Sequence, residues 1–121
     1  MAQKKRQKAD TRRQTGKAYE ERAAAFLQNR GYTVIERNVF SRIGEIDIVA
    51  EEGGYLVFCE VKYRRKGTFG IAAEAVDARK QKKLFYCAME YLRQKGLQEI
   101  PCRFDVVAFD GESVEVYQNA F

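Results

Sequence analysis

Between residues 15 and 31 the apolar positions fall on a helical repeat. Tyr19, Ala23, Phe26 and Leu27 stand at i, i+4, i+7 and i+8, one stripe along one face, and Gly31 follows as a C-terminal stop. Glu20 lies one position round from the stripe, at its edge. Alternation replaces the helical repeat over residues 32–37 and predicts a strand, with 38–42 as a loop. Two further strands are expected over 45–50 and 55–62, separated by the turn signal Gly53-Gly54. Residues 63–75 are polar, carry Gly67 and Gly70, and read as a loop. Asp77 suits an N-cap, after which Leu84, Ala88, Tyr91 and Leu92 resume the helical spacing as far as Gly96. Beyond Pro101, the sole proline, strands over 103–109 and 113–117 flank Asp110-Gly111 as a second hairpin.

The predicted order is therefore α-β-β-β-α-β-β, an α/β domain with a central mixed sheet flanked by helices. The connections among the first three strands are too short for crossovers, so these strands form an antiparallel meander. The second helix is long enough to return the chain for a parallel pairing.

Composition narrows the function classes. A chain of 121 residues supports one core. It has no apolar run of membrane-spanning length, and no apolar stretch follows the basic N-terminus, so a cytoplasmic location is expected and no membrane partner. Cys59, Cys87 and Cys102 are odd in number, lack CxxC spacing and sit in apolar surroundings, which suits buried thiols rather than disulfides or zinc ligands. Histidine is absent, so no His-based triad, base or metal ligand exists. The net charge of +5 is unevenly placed: residues 1–17 hold seven basic groups against Asp10 alone, and the remainder has 15 basic and 16 acidic residues. Residues 1–15 are expected to be a disordered basic tail and residues 16–121 the folded domain. Such a tail either grips nucleic-acid phosphates or serves as a solubilising leader.

The carboxylates give the sharper signal. In the strand 55–62, Leu56, Phe58, Glu60 and Lys62 share one face, and Tyr55, Val57, Cys59 and Val61 the other. Both faces are mainly apolar, so this strand is central, and Glu60 and Lys62 at its end are costly unless paired or bound. With Gly53-Gly54 as a two-residue loop, Glu52 pairs with Tyr55, which sets Asp47 opposite Glu60 and Glu45 opposite Lys62. Opposed Cβ atoms are about 4.5–5.5 Å apart, so the two acids repel. A divalent cation such as Mg²⁺ removes the objection. A cross-strand salt-bridge cluster of Glu45, Asp47, Glu60 and Lys62 answers the same spacing.

At these residues the chain resembles the PD-(D/E)XK nuclease superfamily. Within it, the chain is similar to the small bacterial YraN-type family, akin to archaeal Holliday-junction resolvases. The matching stretches are Gly16-Lys17-Ala18-Tyr19-Glu20, Gly44-Glu45-Ile46-Asp47-Ile48-Val49-Ala50, Val57-Phe58-Cys59-Glu60-Val61-Lys62-Tyr63-Arg64 and Ala75-Val76-Asp77-Ala78-Arg79-Lys80-Gln81. Arg103-Phe104-Asp105-Val106-Val107 and Asn119-Ala120-Phe121 agree as well, so the likeness runs from about Gly16 to the C-terminus.

The resemblance implies a restriction-endonuclease-like fold and a Mg²⁺- or Mn²⁺-dependent endonuclease acting on DNA, including branched DNA. Asp47 and Glu60 match the metal-binding acids, with the main-chain carbonyl of Val61 as a further ligand. Lys62 matches the lysine that positions or activates the attacking water. Glu20 matches an acid that resolvase-like members add, and Gln81 sits where some members bring a helix residue to the cleft. The superfamily's proline before the first Asp is replaced by Ile46. Phosphate contacts are expected from Arg64, Arg65, Lys66, Arg79, Lys80, Lys82 and Lys83, though the helix lysines equally suit a solvated face. Tyr63 and Phe69 suit packing better than base stacking. The resemblance further implies a homodimer, for which the sequence identifies no face. The alternative is a nucleic-acid-binding module that keeps the fold with little or no turnover.

Overall fold

The computed structural model describes residues 2–64 and 76–121, with side chains from Gly16 onward except that of Arg64. The elements are α1 (Ala2–Asn29), β1 (Thr33–Phe40), β2 (Glu45–Glu52), β3 (Tyr55–Arg64), α2 (Ala78–Gln94), β4 (Cys102–Asp110) and β5 (Ser113–Tyr117). They follow the expected α-β-β-β-α-β-β order. The five strands form one sheet in the order β1-β2-β3-β4-β5. The β1-β2-β3 stretch is an antiparallel meander, β3 and β4 pair in parallel, and β4 and β5 form a hairpin. No helix among the described residues is long and apolar enough to cross a membrane.

The two helices cover opposite faces of the sheet. On one face, Ala23 and Leu27 of α1 pack with Ile48, Ala50, Val57, Cys59, Val107 and Phe109. On the other, Leu84, Cys87, Ala88 and Tyr91 of α2 pack with Ile46, Val49, Leu56, Phe58, Phe104 and Val106. Strand β3 contributes alternate residues to both layers, which makes it the central strand its apolar faces predict. The three cysteines are free: Cys59 is buried under α1, Cys87 is buried in α2, and Cys102 is half-buried at the start of β4. The chain end is fastened to the sheet, with the Ala120 amide donating to the Phe104 carbonyl at 2.8 Å and the Phe121 ring stacked on Phe104 at 5.2 Å.

Several strands run one or two residues beyond the sequence expectation, β3 as far as Arg64, and two boundaries differ by more. The α1 backbone is helical from Ala2, not from residue 15, and so takes in the basic segment expected as a disordered tail. Neither glycine nor proline interrupts residues 2–15, and Lys, Arg, Gln and Ala all favour helix. Strand β1 continues to Phe40 across the stretch expected as a loop. It does so with a register shift between Val34 and Glu36 and a left-handed φ of 54° at Asn38. Asparagine tolerates that conformation better than most residues.

Candidate active site

The β2–β3 hairpin has the register that its Gly53-Gly54 turn requires. Glu52 pairs with Tyr55, and the ladder runs to Ile48 opposite Cys59. Both turn glycines adopt positive φ, 59° and 85°, as a tight hairpin loop demands. There the ladder stops. The next residue, Asp47, turns its side chain across the gap and Oδ2 accepts from the Val61 amide at 2.8 Å. A carboxylate thus takes the place of a backbone acceptor, and β3 continues in register with β4 as far as Arg64.

The strands change facing at the same level. Ile48 packs in the α1 layer, and strict alternation would place Ile46 there too, yet Ile46 lies in the α2 layer. In β1, Arg37 pairs with Ile48 and Val39 with Ile46, leaving Asn38 level with Asp47. Both strands therefore break alternation together, which is how a paired distortion re-aims side chains without losing register. Asp47 and Glu45 consequently come to the α1 side, where Glu20 waits on the helix. One carboxylate oxygen from each of Glu20, Glu45 and Asp47 lies within 4.8 Å of the others. Asn38, its amide nitrogen turned to the helix, donates to Glu20 at 2.8 and 3.3 Å.

Glu60 of β3 lies outside that trio, buried and 5% exposed. Its Oε1 lies 3.4 Å from Lys62 Nζ and 3.4 Å from Lys80 Nζ, the latter reaching over from α2. Burial, then the charge of Glu60, pushes the Asp47 carboxyl up to about 8, against the opposing pull of the Val61 amide; Glu45 and Glu20 add smaller pushes. Glu20 is also raised, by burial first and Glu45 next, while Arg37 and Asn38 hold it down. Arg37 Nε is buried with no hydrogen-bond partner among the described residues. The site is thus an acid-rich, partly desolvated cluster with cations beside Glu60.

Of the residues singled out from sequence, Glu20 and Asp47 come together on the α1 side, and the Val61 amide fixes Asp47. Glu60 and Lys62 stand instead on the β3 face toward α2 with Lys80, Glu60 still near enough to raise the Asp47 carboxyl. Glu45 joins Glu20 and Asp47 rather than standing opposite Lys62, because of the change of facing. Gln81 Nε2 donates to the Val76 carbonyl at 2.8 Å. Lys80 is engaged with Glu60, whereas Lys82 is exposed. Tyr63 stacks on Tyr19 with ring centroids 4.4 Å apart, in keeping with packing. The side chain of Arg64, and Arg65, Lys66 and Phe69 altogether, lie outside the described residues. Sequence reasoning missed Asn38 and Glu45 as neighbours of Glu20. The only signal was an asparagine, tolerant of left-handed φ, in a stretch that reads as a loop.

A second charged group lies toward the hairpin end of the sheet. Asp105 is fully buried and accepts from Arg103 Nε at 3.0 Å, Tyr32 Oη at 2.7 Å and the Asn119 amide at 2.9 Å. Arg103 also donates to Glu52 at 2.7 Å and to Tyr32 Oη at 3.1 Å. Burial, followed by the hydrogen bond to Asp105, raises the Tyr32 hydroxyl to about 12.

Residues 19–109, most of the chain and all of these acids, match the uncharacterised protein family UPF0102. A UPF0102 protein of Symbiobacterium thermophilum is 48% identical over 114 residues, covering 90% of this chain and 97% of its own. The UPF0102 protein YraN of Salmonella newport is 44% identical over 113 residues, covering 92% and 86%. A UPF0102 protein of Hahella chejuensis is 45% identical over 92 residues, covering 76% and 74%. This chain is a member of the UPF0102 family.

Proposed function

We propose that this protein is a metal-dependent endonuclease that hydrolyses phosphodiester bonds in DNA, branched DNA included. The observation that carries the reading is Asp47: an acid nearly buried, fixed by the Val61 amide and crowded by three further carboxylates. Like charges so placed oppose folding unless a cation joins them. The donor set, carboxylate oxygens without histidine or thiolate, fits a hard ion such as Mg²⁺ or Mn²⁺. Asp47, Glu60 and the Val61 carbonyl would hold it, with Glu20 and Glu45 beside them. Such an ion supplies charge relief at the phosphate and a water made nucleophilic near neutral pH.

The chain's own groups supply the rest. Lys62, about one-fifth exposed at the rim beside Glu60, orients the attacking water by hydrogen bonding. Asn38 and Arg37 keep Glu20 in place at the cleft wall. Lys82, Arg64, Arg65, Lys66 and the basic N-terminal segment contact phosphates, and Gln81 braces the start of α2 through the Val76 carbonyl. We place this activity in the cytoplasm, where three free thiols persist.

The second reading is a nucleic-acid-binding module with the same fold and no turnover. The two lysines on Glu60 favour it, because they neutralise that acid from within the chain. Cleavage of linear, flapped and four-way DNA in Mg²⁺ or Mn²⁺, with Glu60→Ala alongside, separates the two. A nuclease cuts at least one substrate and Glu60→Ala does not. Metal-dependent stabilisation without cleavage of any substrate sustains the binding module instead.

A further inference from the structure

Helix α2 opens against the usual electrostatic rule. A helix N-terminus carries partial positive charge and favours acids in its first turn. Here that turn contains no acid after the Asp77 cap but holds Arg79 and Lys80, with Lys82 and Lys83 directly following. Local rules broken in this way mark positions held for another purpose. The purpose is visible at Lys80. Its amide is pinned by the cap, donating to Asp77 Oδ1 at 2.8 Å, and its ammonium reaches across to Glu60 Oε1 at 3.4 Å. The same oxygen already has Lys62 at 3.4 Å. Glu60 is therefore overpaired, while Asp47, Glu20 and Glu45 are crowded together with no ion pair at 4 Å or less among the described residues.

We propose that Lys80 is a positioning residue for Glu60, a displaceable internal counter-charge that holds this acid in place and that an arriving divalent cation must push aside. The inference rests on the metal-dependent reading of the site. Lys62 leaves β3 two residues after Glu60 and lies 21% exposed, whereas Lys80 comes from another element and is 40% exposed. Of the two, Lys80 has the freer exit to water. Its removal lowers the cost of seating a second positive charge on Glu60, because two cations on one carboxylate oxygen repel at short range.

The test is titration of Mn²⁺ into the full chain by calorimetry, with metal-free thermal melts as a check on folding. Lys80→Met keeps the stem and removes the charge, and it should tighten Mn²⁺ binding about fivefold or more. Lys80→Arg should restore the wild-type affinity. In a Glu60→Gln background, Lys80→Met should have no further effect, because the carboxylate through which it acts is gone. Lys83→Met, which removes a charge not paired with Glu60, should change affinity less. Should Lys80→Met prove unfolded, Lys80→Gln takes its place. Equal or weaker Mn²⁺ binding in Lys80→Met, or the same tightening without Glu60, overturns the proposal while leaving the metal-dependent reading intact. A wild type that binds no Mn²⁺ overturns both.

Discussion

Two buried acids of this small sheet live in opposite circumstances. Asp105, the more buried, is well supplied: Arg103, Tyr32 and the Asn119 amide donate to its oxygens, and Arg103 Nη2 donates to Glu52 as well. Among the described residues Asp47 accepts one hydrogen bond, from the Val61 amide, and feels the charge of three other carboxylates. The first group is closed and the second is open. A closed network stabilises one arrangement of the chain by leaving nothing to bind. An open, like-charged group leaves a demand that a proton or a cation from outside can meet. Both occur in one sheet of one domain, so burial of charge alone does not mark function. What marks it is the unmet demand.

The comparison is broken most directly at Asp105. Asp105→Ala removes the buried partner of the Arg103 guanidinium, 10% exposed, leaving it Glu52 alone as an ion pair among the described residues. The change should cost about 3 kcal/mol in denaturant unfolding. If Asp105→Ala cost no more than an exposed substitution, the closed network would lose its stabilising role.

At the open site the sign reverses. Asp47→Asn should leave the chelated protein as stable as wild type or more so, since it removes one of the repelling charges. Wild type should gain about 2–3 kcal/mol from Mg²⁺ at a hundredfold excess over its dissociation constant, and Asp47→Asn almost nothing. A variant that still responds to Mg²⁺ would place the ion elsewhere.

The next effect is one of pH. The Asp47 carboxyl is raised in the folded chain to about 8 from the ordinary 3.8. Between those values the native state holds more proton than the unfolded one, so metal-free stability should fall as pH rises from about 4 to about 8. Asp47→Asn should flatten that part of the profile. In wild type, Mg²⁺ should release protons on binding and bind more tightly as pH increases. Identical profiles for the two proteins would remove Asp47 as the strained acid.

The smallest effect on stability is expected from the N-terminal segment. Deleting residues 1–15 should leave the unfolding midpoint nearly unchanged while weakening DNA binding and flattening its dependence on salt. An unchanged salt slope would make the segment a solubilising leader. Amide exchange over the same residues, with and without DNA, reports whether their helical backbone persists alone.

Much of the molecule was legible in the chain because its local signals agree. The Gly53-Gly54 turn set the hairpin register, the Asp77 cap set the start of α2, and the apolar faces of β3 made it central. The position of Glu45 was not legible. It depends on a coordinated change of facing at Asn38 and Asp47, in two strands at once, and period-two reasoning carries the wrong face through such a point. The Asp105 network was equally out of reach. Its members come from the ends of α1, β2 and β4 and from the C-terminal segment, so no spacing along the chain announces them. The continuation of α1 to Ala2 follows from residue propensity and carries no apolar stripe to announce it.

The placement of the three thiols makes the protein its own clock for partial opening. Cys59 lies beneath one helix, Cys87 belongs to the other, and Cys102 sits at the rim of β4. Burial pushes the Cys59 thiol far above its ordinary value, so an alkylating reagent reaches it only when the α1 layer lifts. Cys87 reports in the same way on the α2 layer, and Cys102, which needs no such event, sets the baseline rate. Peptide-resolved alkylation of the unmodified chain therefore orders the detachment of the two helices in time.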